Sequence, residues 1–130
     1  MNAALLDTHV WAWSLIDPPN LKRNISDLLV ETETVVVSSA TIYEMTHKAR
    51  IGKWRQIEAD APRLLSIAKD LSQEVAPLSG AMMSLAGQLA WAHRDPFDRM
   101  IAATAIVLDL PLVSADTTFD TCPRPIRRIW

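Results

Sequence analysis

Apolar runs of four to six residues recur along this 130-residue chain: AALL before Asp7, TVVVSS at 34–39, VAPLS at 75–79 and PLVSA before Asp116. Stretches with helical spacing separate them. Strands that short and that apolar are buried on both faces, and parallel strands need crossovers that helices usually supply, so the pattern predicts an α/β fold with a mainly parallel sheet. The helical stretches are HVWAWSLI, which DPPN terminates, and LKRNISDLLVETE, with Leu21, Ile25, Leu28 and Leu29 on one face. ATIYEMTHKARIG follows, capped by Ser38 or Ser39 and ending near Gly52. A further helix is expected between Glu58 and Gln73 on the stripe Leu64, Leu65, Ala68 and Leu71, and another after the cap Ser79 on Met82, Leu85, Ala86 and Leu89. PFDRMIAATAIVLD is apolar almost all round, as a helix wholly buried on a sheet would be, and the final IRRIW reads as an edge strand.

With 49% hydrophobic and 22% charged residues, the chain is expected to form a single domain over residues 1–130 with a real core. No apolar run is long enough to cross a bilayer, and MNAALLD lacks the basic start and apolar stretch of a signal peptide, so a cytoplasmic protein without membrane contact is expected. The lone cysteine, Cys122, has no partner for a disulfide or a metal site. A formal net charge of −2 creates no global field for a polyanion, so any nucleic-acid contact must be local. Basic residues do gather in HKARIGKWR and RPIRRIW, although such clusters are more often solvated faces than binding patches.

Sites in open parallel sheets form beyond the carboxyl ends of the strands. Four acids map there: Asp7 ends the first strand, Glu44 lies in the helix after the second, Asp98 opens the buried helix and Asp116 follows the PLVS strand. Each has an ordinary reading. Asp7 can be held by Thr8 or the following amides, and Glu44 and Asp116 can be an exposed helical acid and a turn residue. In HRDPFDRM, Asp95 before Pro96 fits a helix N-cap, and Asp98 can complement the helix dipole. For Asp98 that reading is incomplete, because an ionised carboxylate at the start of a buried helix needs a partner. Together the four would repel one another, and a hard divalent cation such as Mg²⁺ or Mn²⁺ relieves that repulsion through oxygen ligands. Zinc fits poorly, since His9, His47 and His93 lack zinc spacing, and the single Glu44-x-x-His47 falls short of the paired motif of di-iron bundles.

LLDTHVWAW, the glutamate of SSATIYEMTHKARIGKW, HRDPFDRMIAATA and LVSADTTFD resemble, in order and spacing, the PIN-domain ribonucleases, particularly the VapC-type toxins of bacterial type II toxin–antitoxin pairs. The resemblance covers nearly the whole chain. It implies a three-layer α/β/α sandwich whose acidic pocket holds one or two Mg²⁺ or Mn²⁺ ions and hydrolyses RNA phosphodiesters endonucleolytically. Position by position, Asp7, Glu44, Asp98 and Asp116 match the family's acidic quartet, with Thr8 and Asp95 as supporting residues. It also implies a cognate antitoxin as partner and a homodimer.

No side-chain nucleophile is evident, which agrees with metal-assisted hydrolysis. RNA approaching an acidic pocket needs cations beside it, and Lys48, Arg50, Arg94 and Arg99 are the candidates by proximity to the acids. Of the five tryptophans, Trp54, among charges after Gly52, is the one expected on a partner surface. Two other readings compete: a catalytically silent PIN-like module that binds RNA or protein, and a phospho-acceptor receiver domain. The receiver requires an adjacent acidic pair after the first strand and a lysine after the last, and neither is present. Asp98→Ala is expected to abolish activity with modest loss of stability, whereas Asp95→Ala is expected chiefly to weaken its helix.

Overall fold

A computed structural model describes residues 1–130. Five strands, β1 (Ala3–Leu6), β2 (Thr34–Ser38), β3 (Glu74–Ala76), β4 (Leu112–Val113) and β5 (Arg128–Ile129), form one sheet in the order β3-β2-β1-β4-β5, with every pairing parallel. Six helices connect them: α1 (Thr8–Ile16), α2 (Arg23–Glu31), α3 (Ser39–Arg50), α4 (Leu64–Asp70), α5 (Gly80–Gln88) and α6 (Pro96–Leu108). The parallel α/β fold expected from the alternation of strands and helices is present, and so is the α/β/α sandwich that the resemblance implies.

Side-chain alternation along the strands builds two cores. Ala4, Leu6, Val35, Val37 and Val113 face one side, where they pack with Val10 and Trp11 of α1, Ile25 of α2 and Leu64 and Ala68 of α4. Leu5, Val36 and Leu112 face the other, against Ile101, Ala102 and Ala105 of α6 and Phe119. Behind α6, Ala103 meets Met82 and Ala86 of α5. Helix α3 touches both cores, through Ala40 on one side and Met45 on the other, so it straddles the carboxyl end of the sheet.

Two expectations need correction. The helix over Glu58–Gln73 is reduced to a 3-10 turn at Ala61–Arg63 followed by seven residues of α4. Pro62 lacks an amide donor and disfavours helical geometry in the residue before it. Leu64 and Ala68, one turn apart, are buried, whereas Leu65 and Leu71 are 63% and 51% exposed. Helix α6 is buried only from Ile101 to Ala105, and Val107 and Leu108 are exposed. Its length of about 20 Å exceeds the reach of the short strands beneath it, so the last turn overhangs the sheet.

The chain steps outward from β1 to β2 and β3 and then returns to the other side of β1 for β4 and β5. This reversal opens a crevice beside the carboxyl end of β1, the place where ligands bind in such sheets. No helix is long and apolar enough to cross a membrane.

Candidate active site

Each acid reaches the crevice by a local device. Asp7 follows β1 and caps α1, its Oδ1 accepting from the Val10 amide at 2.9 Å. Its Oδ2 accepts from the Ser114 hydroxyl, which leaves the side chain 7% exposed. Glu44 is in the second turn of α3, 4% exposed, and accepts from Lys48 Nζ at 2.5 Å. Asp95 caps α6 through the Asp98 amide at 3.0 Å, and Pro96 occupies the first helical position, where its missing N–H is harmless. That cap aims Asp98 inward, with His93 Nε2 at 2.7 Å from its Oδ2. Asp116 follows β4 and caps a 3-10 turn over Thr117–Thr121 through the Thr118 amide at 2.9 Å.

All five carboxylates line one pocket of about 290 Å³, together with Thr8, His9, Trp13, Lys48 and Ala115. The first turns of α1 and α6 open onto it, so the positive ends of two helix dipoles lie beside the acids. Burial pushes the Asp7 carboxyl up, and Asp116 adds to the rise, against hydrogen bonds from Ser114 and Val10 and the nearby His9. Burial likewise raises Asp98 to about 6; the hydrogen bond from His93 opposes this, and Asp95 and Glu44 reinforce it. For Asp116 the upward push of burial is outweighed by the Thr118 hydrogen bonds and by His93 and His9, and the group lies below the usual carboxylate range.

This is the electrostatic state of a site short of positive charge. The donors are oxygens of the type that hard divalent cations prefer, and two of the acids resist ionising where they stand. No three of the acids and histidines already stand as a chelating group. Ser114, Lys48 and His93 each hold an oxygen of Asp7, Glu44 and Asp98, so a cation would take over positions these donors now fill. The donor chemistry therefore fits Mg²⁺ or Mn²⁺, with the carboxylates turning from their present partners to the ion.

A family model described as the PIN domain matches residues 4–124. The chain belongs to the PIN-domain family. Solved structures share its fold across nearly the whole length. A DNA-bound VapBC from Salmonella typhimurium is 22% identical at a TM-score of 0.73, covering 99% of this chain and 98% of the other. VapBC2 from Rickettsia felis, bound to a promoter DNA fragment, is 20% identical at 0.70, covering 95% and 96%. VapBC-5 from Mycobacterium tuberculosis is 18% identical at 0.63, covering 99% and 97%. Among curated proteins, none matches.

Within this PIN domain the structure brings Asp7, Glu44, Asp98 and Asp116 to one pocket, with Thr8 and Asp95 beside them. The Thr8 hydroxyl shares a 2.9 Å hydrogen bond with Thr41, which ties α1 to the helix that carries Glu44. The basic candidates divide. Lys48 lines the pocket and Arg94, next to Asp95 in sequence, is exposed, but Arg50, two residues beyond Lys48 in α3, is bonded to His47 and borders other surface hollows. Arg99 is corrected outright as a phosphate contact: its guanidinium donates to the carbonyls of Ala86, Leu89, Trp91 and His93 at 2.6–2.9 Å. With four of its five N–H donors committed to backbone carbonyls, the guanidinium is turned to the protein rather than to a phosphate, and it pins the connector that presents His93 and Asp95. Trp54, expected on a partner surface, is half-buried and stacked on His9.

Sequence reasoning missed Ser114 and His93, the partners of the two raised acids. Ser114 had a signal, since it ends a buried strand two residues before Asp116. Its backbone carbonyl is in turn held by Arg128, which also pairs with Asp120 through both carboxylate oxygens. His93 stands in an irregular connector, where no periodicity marks a direction.

Proposed function

We propose that this PIN domain, a single domain over residues 1–130, is a metal-dependent endoribonuclease that hydrolyses RNA phosphodiester bonds, the toxin of a type II toxin–antitoxin pair. The observation that carries the reading is the single pocket lined by Asp7, Glu44, Asp98 and Asp116, in which burial raises the carboxyls of Asp7 and Asp98. Asp7, Glu44, Asp98 and Asp116 would hold one or two Mg²⁺ or Mn²⁺ ions. When bound, such an ion activates water and neutralises a phosphodiester. Asp95 fixes the start of α6 and so the direction of Asp98, and Ser114 holds Asp7 toward the pocket. Lys48 supplies positive charge at the pocket wall for the substrate's phosphate. Likeness to the solved toxin–antitoxin complexes supports a cognate antitoxin as partner, and we propose, on the family resemblance, that the protein works as a cytoplasmic homodimer.

A catalytically silent PIN-like module that binds RNA or protein is the second reading. It is favoured by one feature, the pre-existing hold of Ser114, Lys48 and His93 on three of the acids. Incubation with structured and unstructured RNAs in Mg²⁺, Mn²⁺ or EDTA, beside Asp7→Ala and Asp98→Ala, separates the two. Cleavage that needs the metal and both acids supports the nuclease. Cleavage that survives EDTA or both substitutions refutes the metal mechanism, and RNA binding without cleavage of any substrate favours the silent module.

A further inference from the structure

The mouth of the acidic pocket continues into a row of aromatic rings that the hydrolytic reading does not use. His9 and Trp13, on successive turns of α1, both line the pocket. Trp54 stacks on His9 with centroids 5.0 Å apart and planes inclined by 30°. Trp13 meets His9 at 5.9 Å and Trp130 at 6.0 Å, so the order is Trp54, His9, Trp13, Trp130. His9 is exposed, and the three tryptophans are half-buried; Trp54 and Trp130 pack against the core on one side. The row joins residues that are distant in sequence: one helix, a loop after α3 and the C-terminal residue.

Cations stand at both ends. Lys48 Nζ lies over Trp54 at 5.9 Å from the ring centroid, and Lys22 Nζ lies over Trp130 at 5.4 Å. Lys53 and Arg55 flank Trp54 in sequence and Arg23 follows Lys22, all three exposed. A domain with a formal charge of −2 therefore places a group of cations beside this row of aromatic rings. A row of π-faces bordered by lysine and arginine is the arrangement that binds single strands without sequence readout, with bases on the rings and phosphates on the cations. A protein segment that filled the same row by apolar contact alone would have no use for the flanking cations.

We propose that the row Trp54–His9–Trp13–Trp130, with Lys48 and Lys22 at its ends, is a stacking path for unpaired bases flanking the phosphate that enters the acidic pocket. The substrate is then a single-stranded or looped-out RNA segment, because paired bases in a duplex cannot leave their own stack to reach the rings. This rests on the reading of the pocket as an RNA-cleaving centre, so binding is measured apart from cleavage.

The test uses the full chain in EDTA with a fluorescein-labelled, unstructured oligoribonucleotide of about 10 nucleotides, a length within the usual single-strand site sizes. Anisotropy gives the affinity and tryptophan quenching reports ring contact. The single strand is expected to quench the tryptophans and to bind at least about tenfold more tightly than a duplex of equal length. Trp13→Ala is expected to weaken binding about 5- to 150-fold, the range for loss of one stacked base, and Trp13→Phe to recover most of it. His9→Ala, at an exposed position that does not endanger folding, and Lys22→Ala are each expected to weaken binding several-fold. Unchanged affinity in His9→Ala and Lys22→Ala, equal binding of duplex and single strand, or binding without quenching would each overturn the proposal. Cleavage in Mn²⁺ by a protein whose aromatic variants bind RNA normally would remove the stacking path and leave the nuclease standing. Stacking without cleavage would do the reverse.

Discussion

Replacing Asp98 by Asn should make the metal-free protein more stable, not less. The Asp98 carboxyl has an ordinary value of 3.8 and is raised to about 6, chiefly by burial. A carboxyl raised by folding contributes stability that is complete below pH 3.8 and is lost as pH climbs through about 6. Each pH unit of separation corresponds to about 1.4 kcal/mol, so the full separation sets an upper limit near 3 kcal/mol. The side chain is 24% exposed, and solvent screening reduces the cost of ionisation to about 1–2 kcal/mol. Asparagine keeps the shape and an acceptor for His93 while removing the charge. At pH 7.5 in EDTA, Asp98→Asn should therefore raise Tm by roughly 3–8 °C, and the difference should vanish near pH 4. Urea or thermal unfolding of both proteins between pH 4 and 8 measures this. Adding Mg²⁺ should reverse the order, since a cation that binds only the folded native site stabilises it by mass action. A variant less stable than the native protein at pH 7.5, or a difference independent of pH, would refute the electrostatic reading.

Asp95→Ala removes the cap on the Asp98 amide and should cost about 1 kcal/mol in urea unfolding, with activity falling far less than in Asp98→Ala; equal loss in both, with folding intact, would make Asp95 a participant in the chemistry. Arg99→Gln leaves several carbonyls of the 86–93 segment without donors and should lower stability by about 3–5 kcal/mol, while Arg99→Lys, whose ammonium cannot span four acceptors, should recover only part. Ser114→Ala removes a hydrogen bond that favours the charged Asp7, so the acidic limb of the pH–rate profile should move to higher pH; an unmoved limb would mean that Asp7 does not govern it.

Much of this architecture was legible in the sequence because burial leaves periodic marks. The apolar runs at Ala3–Leu6 and Thr34–Ser38 became the paired strands β1 and β2, and the caps Ser38, Ser79 and Asp95 begin α3, α5 and α6. The four acids were legible for the same reason, since Asp7 and Asp116 follow strands whose ends could be read and Glu44 and Asp98 lie in the opening turns of helices whose caps could be read. What was lost lies where periodicity is silent. Leu65 and Leu71 read as part of a buried stripe, but Leu65 stands off the Leu64–Ala68 face of a seven-residue helix and Leu71 falls past its end at Asp70. Arg99 looked like a phosphate contact because its charge is visible in sequence and its four carbonyl partners, in an irregular connector, are not. The aromatic row joins residue 9 to residues 54 and 130, and no local pattern announces a contact of that separation.

If Asp7, Glu44, Asp98 and Asp116 form one divalent-cation site, calorimetric titration of Mn²⁺ into the metal-free protein will detect it. Because Asp98 is raised to about 6, binding at pH 6 should release protons, detected as a dependence of the heat on the buffer's ionisation enthalpy, and at pH 8 that release should largely disappear. The native protein should bind one or two ions, and Asp7→Asn and Asp98→Asn, both folded, should lose that binding. Native protein that takes up no Mn²⁺ at millimolar concentration, or variants that bind it as the native protein does, would contradict such a site.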